Sequence, residues 1–149
     1  MKLTKEMSVK RSVFCVCLFA VILLAADVSA FRWIRWYVEW REMQRGMFPW
    51  LMVVFYLASV AGWFCLYALW KLLKSIQAGQ VFCEENVKSL RSISLCCAVA
   101  AVIFTVGGFR YAPLFIPAVA AGFMMLIVRV VENVFRRANE MKSELDLTI

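Results

Sequence analysis

Residues 48–70 read FPWLMVVFYLASVAGWFCLYALW, an apolar run of 23 residues without a charged side chain. A helix rises about 1.5 Å per residue, so this run is long enough to cross the roughly 30 Å hydrocarbon core of a bilayer. Trp50 and Trp70 lie near its two ends, and tryptophan is enriched at membrane interfaces. Because a backbone in lipid must satisfy its own hydrogen bonds, we expect a transmembrane helix here.

Three further apolar runs, residues 12–30, 92–109 and 112–131, have similar lengths. Of the 149 residues, 64% are hydrophobic and 18% are charged. Ordinary soluble domains have about 45–50% apolar and about 25% charged residues, and a soluble domain of this length could not bury so much apolar surface. The sequence therefore predicts an all-α, integral membrane four-helix bundle that forms a single domain over residues 1–149.

The positions of lysine and arginine predict the orientation of the helices. With a cytoplasmic N-terminus, 12 of these residues lie on the cytoplasmic side and 5 lie outside. Cytoplasmic loops are enriched in lysine and arginine, so both termini are expected in the cytoplasm. The basic residues that give the net charge of +7 lie in clusters that flank the apolar runs, as in membrane proteins. We therefore expect no direct binding of nucleic acid.

The first apolar run has an alternative interpretation as a signal peptide. It has a basic start, an apolar core over residues 12–26, and a possible cleavage site at Val28-Ser29-Ala30. The core is at the upper limit of length for a signal peptide, which favours a retained helix. Cleavage would leave three helices without changing the orientation of the rest.

The segment between the first two runs, residues 32–45, is rich in aromatic and charged side chains. On a helix its aromatic residues share one face, and charged residues cluster on another face about 140° away. This pattern predicts an outer interfacial amphipathic helix in the headgroup layer. The aromatic face could instead form a ligand-binding box, although an interfacial belt is the simpler interpretation. The aromatic residues are Trp33, Trp36, Tyr37 and Trp40.

Two connections contain residues typical of helix ends. In the polar loop over residues 71–91, Gly79 can end the second helix, and Cys83-Glu84-Glu85-Asn86 can begin a short new one. In the other connection, Pro113 suits the first turn of the fourth helix. Pro117 lies deeper and is expected to bend that helix.

The fourth helix is expected to continue into the cytoplasm as an amphipathic tail, residues 132–149. Its apolar residues recur every three or four positions, and such a stripe must pack on residues 81–90, lie on the inner leaflet, or bind a partner. We expect it to dock on residues 81–90, or on a partner that contacts both segments. Asn86 could then donate to the backbone of the tail, and Lys88 or Arg91 could meet Asp146 or the terminal carboxylate.

Small residues recur at the spacing of helix–helix contacts in membranes, and they predict the internal seams of the bundle. The sets are Ala58 with Gly62, Cys97 with Ala101 and Thr105, and Ala118 with Gly122.

Little in the sequence suggests catalysis or metal binding. There is no histidine, five of the six cysteines lie inside apolar runs, and no catalytic, metal-binding or cofactor-binding motif is visible. We therefore expect neither an enzyme nor a cofactor. Asp27 is the only acidic residue within an apolar run, and it is expected near the outer surface, where water or a headgroup can solvate it.

Two segments on the predicted cytoplasmic side resemble motifs of a known family. Residues 79–91, GQVFCEENVKSLR, resemble the Gly-x-x-Phe-x-x-Glu-Asn-x-x-x-Leu-Arg signature of a bacterial membrane family, domain of unknown function 2975. The C-terminus resembles the acidic Asp-Leu-Thr-Ile ending of the same family, so the resemblance covers residues 72–149. Departures occur at Cys83, where the family more often has Ser or Thr, and at Leu145, where it often has Asn.

The resemblance implies a small four-helix protein of the bacterial plasma (inner) membrane with no established activity. It also implies a regulatory partner, because members are often encoded beside small helix-turn-helix regulators. We therefore expect a membrane-anchored interaction or regulatory module that binds a cytoplasmic protein such as a DNA-binding regulator. The alternative is a small transporter or channel-like protein, which would need ionisable groups near the membrane midplane. The candidate interaction residues are Phe82, Glu85, Asn86, Leu90, Arg91, Phe135, Asp146, Leu147, Thr148 and Ile149.

Overall fold

The computed structural model describes residues 2–148, with side chains described from residue 9 onward. Within that range it contains four long α-helices and no strand, and all four helices are long and apolar enough to cross a membrane. A 3-10 turn, Ala112–Leu114, precedes the last helix. The prediction of an all-α chain with four candidate membrane helices is therefore confirmed. The helices are α1 (Lys2–Trp40), α2 (Met47–Gln77), α3 (Glu84–Gly108) and α4 (Phe115–Thr148).

The helices pack in chain order as an open row. Among the described residues, α1 packs on α2, α2 on α3, and α3 on α4, while α1 does not pack on α3 or α4. This arrangement differs from the predicted four-helix bundle, in which the first and last helices would also meet. Lipid tails are as apolar as leucine, so no hydrophobic driving force closes the row.

The most compact part of the protein lies where α2 ends and α3 begins. The buried side chains of Ala68, Leu72, Leu90 and Ile93 form one cluster, and Phe135 of α4 packs against it. Most large apolar side chains elsewhere are exposed and face the region that lipid would fill. The side chains that hold the row together are therefore concentrated near the α2–α3 connection.

Two predicted short helices are parts of longer ones. Residues 32–40 continue α1 without a break, because the chain has no glycine or proline before Gly46. Residues 32–40 are therefore helical but are the end of α1, and their role as an outer interfacial amphipathic helix stays a prediction. Similarly, the helix expected to follow Cys83 is the first part of α3, which runs on to Gly108.

The two prolines before and within α4 lie at its start. Pro113 belongs to the 3-10 turn, as the prediction of a first-turn position suggested, but Pro117 is the third residue of α4. Amides in the first turn have no partner within their own helix, so the missing N–H of Pro117 costs little there. Pro117 therefore does not lie deep in α4 as expected, and a bend of the helix there stays a prediction.

The predicted small-residue seams are only partly formed. A Cβ built on Gly62 would lie 3.4 Å from Leu23 Cδ2, so α1 and α2 approach closely at this point. Cys97 packs against the buried cluster of α2 and α3. A Cβ built on Gly122 would meet no atom within 4 Å, so α4 has no close contact at Gly122, although Ala118, one turn earlier on the same face, is buried.

Candidate functional site

The α2–α3 connection begins with a glycine in a left-handed conformation. The amides of Gly79 and Gln80 donate to the carbonyls of Ile76 and Ser75, at 3.0 and 3.2 Å, as in a Schellman motif. Gly79 has φ +83°, a conformation that glycine adopts without steric cost. The prediction that Gly79 ends the second helix is confirmed.

Asn86 holds this connection against the start of α3. Its side chain is 0% exposed, and Nδ2 donates to the carbonyl oxygens of Gln80 and Val81, at 2.7 and 2.8 Å. Its Oδ1 is buried and has no hydrogen-bond partner among the described residues. Side chains in a helix point towards the N-terminus, which places the amide beside the backbone that enters α3. The prediction that Asn86 donates to the tail is therefore wrong, because its amide donates to the connection instead.

The connection also contacts α4 through a pair of aromatic rings. The ring centroids of Phe82 and Phe135 are 5.6 Å apart, and Leu90 is buried in the cluster beneath them. Glu85 lies 3.9 Å from Lys71, and both side chains are more than half exposed, so this ion pair contributes little to stability. Of the candidate residues, the structure thus brings Phe82 and Leu90 together with Phe135 through apolar packing.

The end of the tail does not reach the connection. α4 continues to Thr148, which confirms the helical extension, and the side chains of Leu145 and Leu147 are 65% and 87% exposed. Asp146 follows Phe135 by eleven residues, or about 16 Å along a helix. No glycine or proline follows Gly122 to turn the chain back, so docking of the tail end on residues 81–90 is wrong in this structure. Ile149 lies outside the described residues.

Asp27 forms a polar contact between α1 and α2. Its Oδ1 accepts a hydrogen bond from Ser59 Oγ at 2.5 Å, and its Oδ2 accepts one from Trp63 Nε1 at 2.8 Å. The backbone carbonyl of Asp27 accepts from the hydroxyl of Tyr56 at 3.3 Å. Asp27 is only partly buried, so its solvation by water or a headgroup stays a prediction beside these hydrogen bonds. Its three donors, at positions 56, 59 and 63, are spaced so that they lie on one face of α2. This spacing is the feature of the sequence from which a polar contact with α2 could have been predicted.

Charged residues of α3 and α4 line a cavity of about 370 Å³ between the two helices. Arg91 lies on α3, while Arg129, Glu132 and Arg136 lie on α4. Glu132 is 4% exposed, and its Oε1 accepts a hydrogen bond from Arg136 Nη2 at 2.9 Å. Only Arg91 was among the candidate residues. The i, i+3, i+7 spacing on α4 was the signal that could have identified the others.

A larger cavity, of about 460 Å³, lies near the C-terminal end of α1. Trp33, Trp36 and Tyr37 of α1 line it together with Phe104 and Tyr111. The hydroxyls of Tyr37 and Tyr111 form a hydrogen bond, and burial raises the pKa of Tyr111 above its ordinary value. Three of the four residues of the aromatic face noted in the sequence therefore line a mostly aromatic and aliphatic pocket, while Trp40 is exposed.

A family model described as "Protein of unknown function (DUF2975)" matches residues 20–149. No curated protein and no solved structure matches the chain. The matched range contains α2, α3 and α4, the Asn86 connection and the charged cavity.

Proposed function

The chain belongs to the DUF2975 family of unknown function, and we propose that this multi-pass membrane protein is a membrane-anchored interaction module. In this proposal the extension of α4 binds a cytoplasmic protein, and the protein resides in the inner membrane of a bacterium with both termini inside. The proposal assigns no catalytic role and no cofactor.

The observation that carries the proposal is an exposed apolar stripe on the extension of α4. Met141 and Leu145 are four residues apart, so they lie about 40° apart around the helix, and they are 61% and 65% exposed. Phe135, by contrast, packs against the buried cluster. Burial of a large apolar side chain is worth roughly 1.5–3 kcal/mol, so this stripe favours an apolar partner surface.

The charges around the stripe favour a protein over the membrane surface. Glu140, Glu144 and Asp146 are exposed on the same extension, and acidic side chains are repelled by the anionic lipids of an inner leaflet. Arg137 and Lys142 are exposed there too, so the rim carries three acids and two bases. An amphipathic helix with this slightly acidic rim fits an apolar groove that has basic residues at its edges. A helix-turn-helix DNA-binding regulator, which the family resemblance implies as a partner, is the kind of basic protein that we expect.

Photo-crosslinking in native membranes tests this proposal with the full chain. A photoreactive residue at Leu145 is expected to give a discrete protein adduct, identified by mass spectrometry as a DNA-binding regulator. The matched control is the same residue at Ser143, which is exposed and lies about 160° from Leu145 around the helix. Adducts to lipid alone at Leu145, or equal protein adducts at both positions, would contradict the proposal.

A second measurement uses the purified partner. Leu145→Lys should weaken binding at least tenfold, because it removes about 1.5–3 kcal/mol of apolar burial and adds a charge that repels the basic rim. Ser143→Lys adds the same charge on the opposite face and should leave the affinity within about twofold, since exposed substitutions away from the contact change the free energy by about 0.5 kcal/mol or less.

Transport is the second candidate, and Asp27 is the observation in its favour because it lies within a membrane-crossing helix. Both of its carboxylate oxygens already accept hydrogen bonds from α2. A carboxylate that is held in this way links two helices. The interaction module is therefore the function that we propose.

A further inference from the structure

The cavity between α3 and α4 has charged and apolar parts that adjoin. Arg91 lies on the second turn of α3, close to the α2–α3 connection. Arg129 and Arg136 are seven residues apart on α4, so they lie on one face, two turns from each other. Three guanidinium groups from two helices therefore surround one concave space.

The charges in this cavity are not balanced within the described part of the chain. Glu132 is buried and pairs with Arg136. Among the described side chains, no carboxylate lies within 4.0 Å of a guanidinium nitrogen of Arg91 or Arg129. The three arginines and the single glutamate leave an excess of two positive charges, which an anion in the cavity would neutralise.

Arginine is well suited to a phosphate ligand. Its planar guanidinium donates two parallel hydrogen bonds to the oxygens of a phosphate, and it stays charged at all relevant pH values. The buried carboxylate of Glu132 accepts one hydrogen bond from Arg136 and so fixes one of the three guanidinium groups in place. Basic pockets between membrane helices bind the headgroups of anionic lipids.

Ser94 and Asn133 line the cavity beside the charged residues, and the rest of its lining forms an apolar wall, which favours a lipid over a free anion. Leu95, Ala98 and Met125 form this wall. On α3, Leu95 and Ala98 follow Arg91 along the chain. On α4, Met125 precedes Arg129. In both helices the apolar lining therefore lies closer than the arginine to the centre of the membrane span. We propose that this cleft binds the phosphate of an anionic phospholipid, with an acyl chain along the apolar wall. This site is separate from the stripe on the extension of α4, so either proposal can fail without the other.

Lipid titration of the full-length protein tests the proposal. The delipidated protein in detergent is titrated with phosphatidylglycerol or with phosphatidylcholine of the same acyl chains, and bound lipid is counted by native mass spectrometry. Both lipids carry a phosphate, but the choline cation of phosphatidylcholine adds positive charge beside the arginines, so phosphatidylglycerol is expected to bind at least tenfold more tightly. Each hydrogen bond to a charged group corresponds to about tenfold or more in affinity. The double variant Arg91→Gln, Arg129→Gln should therefore bind phosphatidylglycerol about a hundredfold more weakly.

The matched control is the double variant Arg137→Gln, Lys142→Gln, which removes the same charge from exposed positions of α4 that do not line the cavity. It should stay within about threefold of the unmodified protein. Equal losses in the two double variants, or equal binding of the two lipids, overturn the proposal. If the first double variant does not fold, Arg91→Gln alone gives the same test, with an expected loss of about tenfold.

Inorganic phosphate distinguishes the source of the phosphate group. At millimolar concentration it should not displace bound phosphatidylglycerol, because it makes no contact with the apolar wall. Displacement that is lost in the Arg91→Gln, Arg129→Gln variant would instead identify a site for a free anion and overturn the lipid assignment.

Discussion

Replacement of Asn86 by aspartate is expected to make the stability of the protein depend on pH. The side chain of Asn86 is 0% exposed, and its amide donates to two backbone carbonyls. Asn86→Asp keeps the size and shape of the side chain but removes both N–H donors. An ionised carboxylate would face two carbonyl oxygens without solvent, so we expect the new carboxyl to be protonated in the folded protein.

The loss of stability equals the free energy of keeping the carboxyl protonated in the folded protein at a pH where the unfolded chain would ionise it. Ionisation of an aspartate in the unfolded chain has a pKa of about 3.9, and each pH unit above it costs about 1.36 kcal/mol for a carboxyl that stays protonated when folded. The destabilisation is therefore up to about 1.5 kcal/mol at pH 5 and up to about 4 kcal/mol at pH 7, before the lost hydrogen bond is added. Because the pKa in the folded state is raised, stability is lost as the pH rises above the unfolded pKa.

The assay is reversible unfolding of the detergent-solubilised protein by titration with SDS, followed by circular dichroism at about pH 5 and about pH 7. The unmodified chain contains no histidine, so few of its own groups titrate in this interval. The matched control is Asn139→Asp, on the extension of α4 and away from the α2–α3 connection, which should show little dependence on pH. Equal destabilisation of Asn86→Asp at both pH values would refute the argument from burial.

The same unfolding assay checks three further expectations. Cys83 precedes α3 without a side-chain capping bond, so Cys83→Ser should stabilise the protein by about 1 kcal/mol, and no gain would contradict a capping role for this position. Gly79→Ala should cost about 1–2 kcal/mol because φ is +83°, whereas Gly122→Ala should be neutral or slightly stabilising, and equal effects would contradict the assignment of a left-handed turn. Asp27→Leu should cost about 1–3 kcal/mol because two donors on α2 lose their acceptor, whereas Asp146→Leu on the exposed tail should have little effect; the reverse order would contradict the link between α1 and α2.

The four helices follow from the sequence alone because each depends on a local property of the chain. An apolar run of sufficient length must form a helix in lipid, whatever its neighbours are. Gly79 ends α2 for a similarly local reason, since only its own backbone angle and the preceding turn are involved. The continuity of α1 through residues 32–40 could also have been predicted from the absence of glycine and proline there. A change from apolar to aromatic and charged side chains does not by itself end a helix, because the backbone hydrogen bonds continue unless a residue such as glycine or proline interrupts them.

The environment of individual side chains was decided by the tertiary structure. The sequence marks Asn86 as unusual, but its burial depends on where the chain enters α3, and so it is a structural residue rather than a surface contact. Asp27 is held by α2, which begins twenty residues later in the chain. The pairing of Arg136 with Glu132 is local, but the cleft that they share with Arg91 exists only because α3 and α4 are neighbours.

Hydropathy and local turn residues therefore determined which segments are helical, because both act through the backbone over a few consecutive residues. The order of packing, the open row and the cleft of three arginines depend on which helix faces meet. In lipid those faces are selected by close packing and polar contacts between helices, since apolar burial is available on every side. Such contacts join residues far apart in the chain, and only the tertiary structure brings them together.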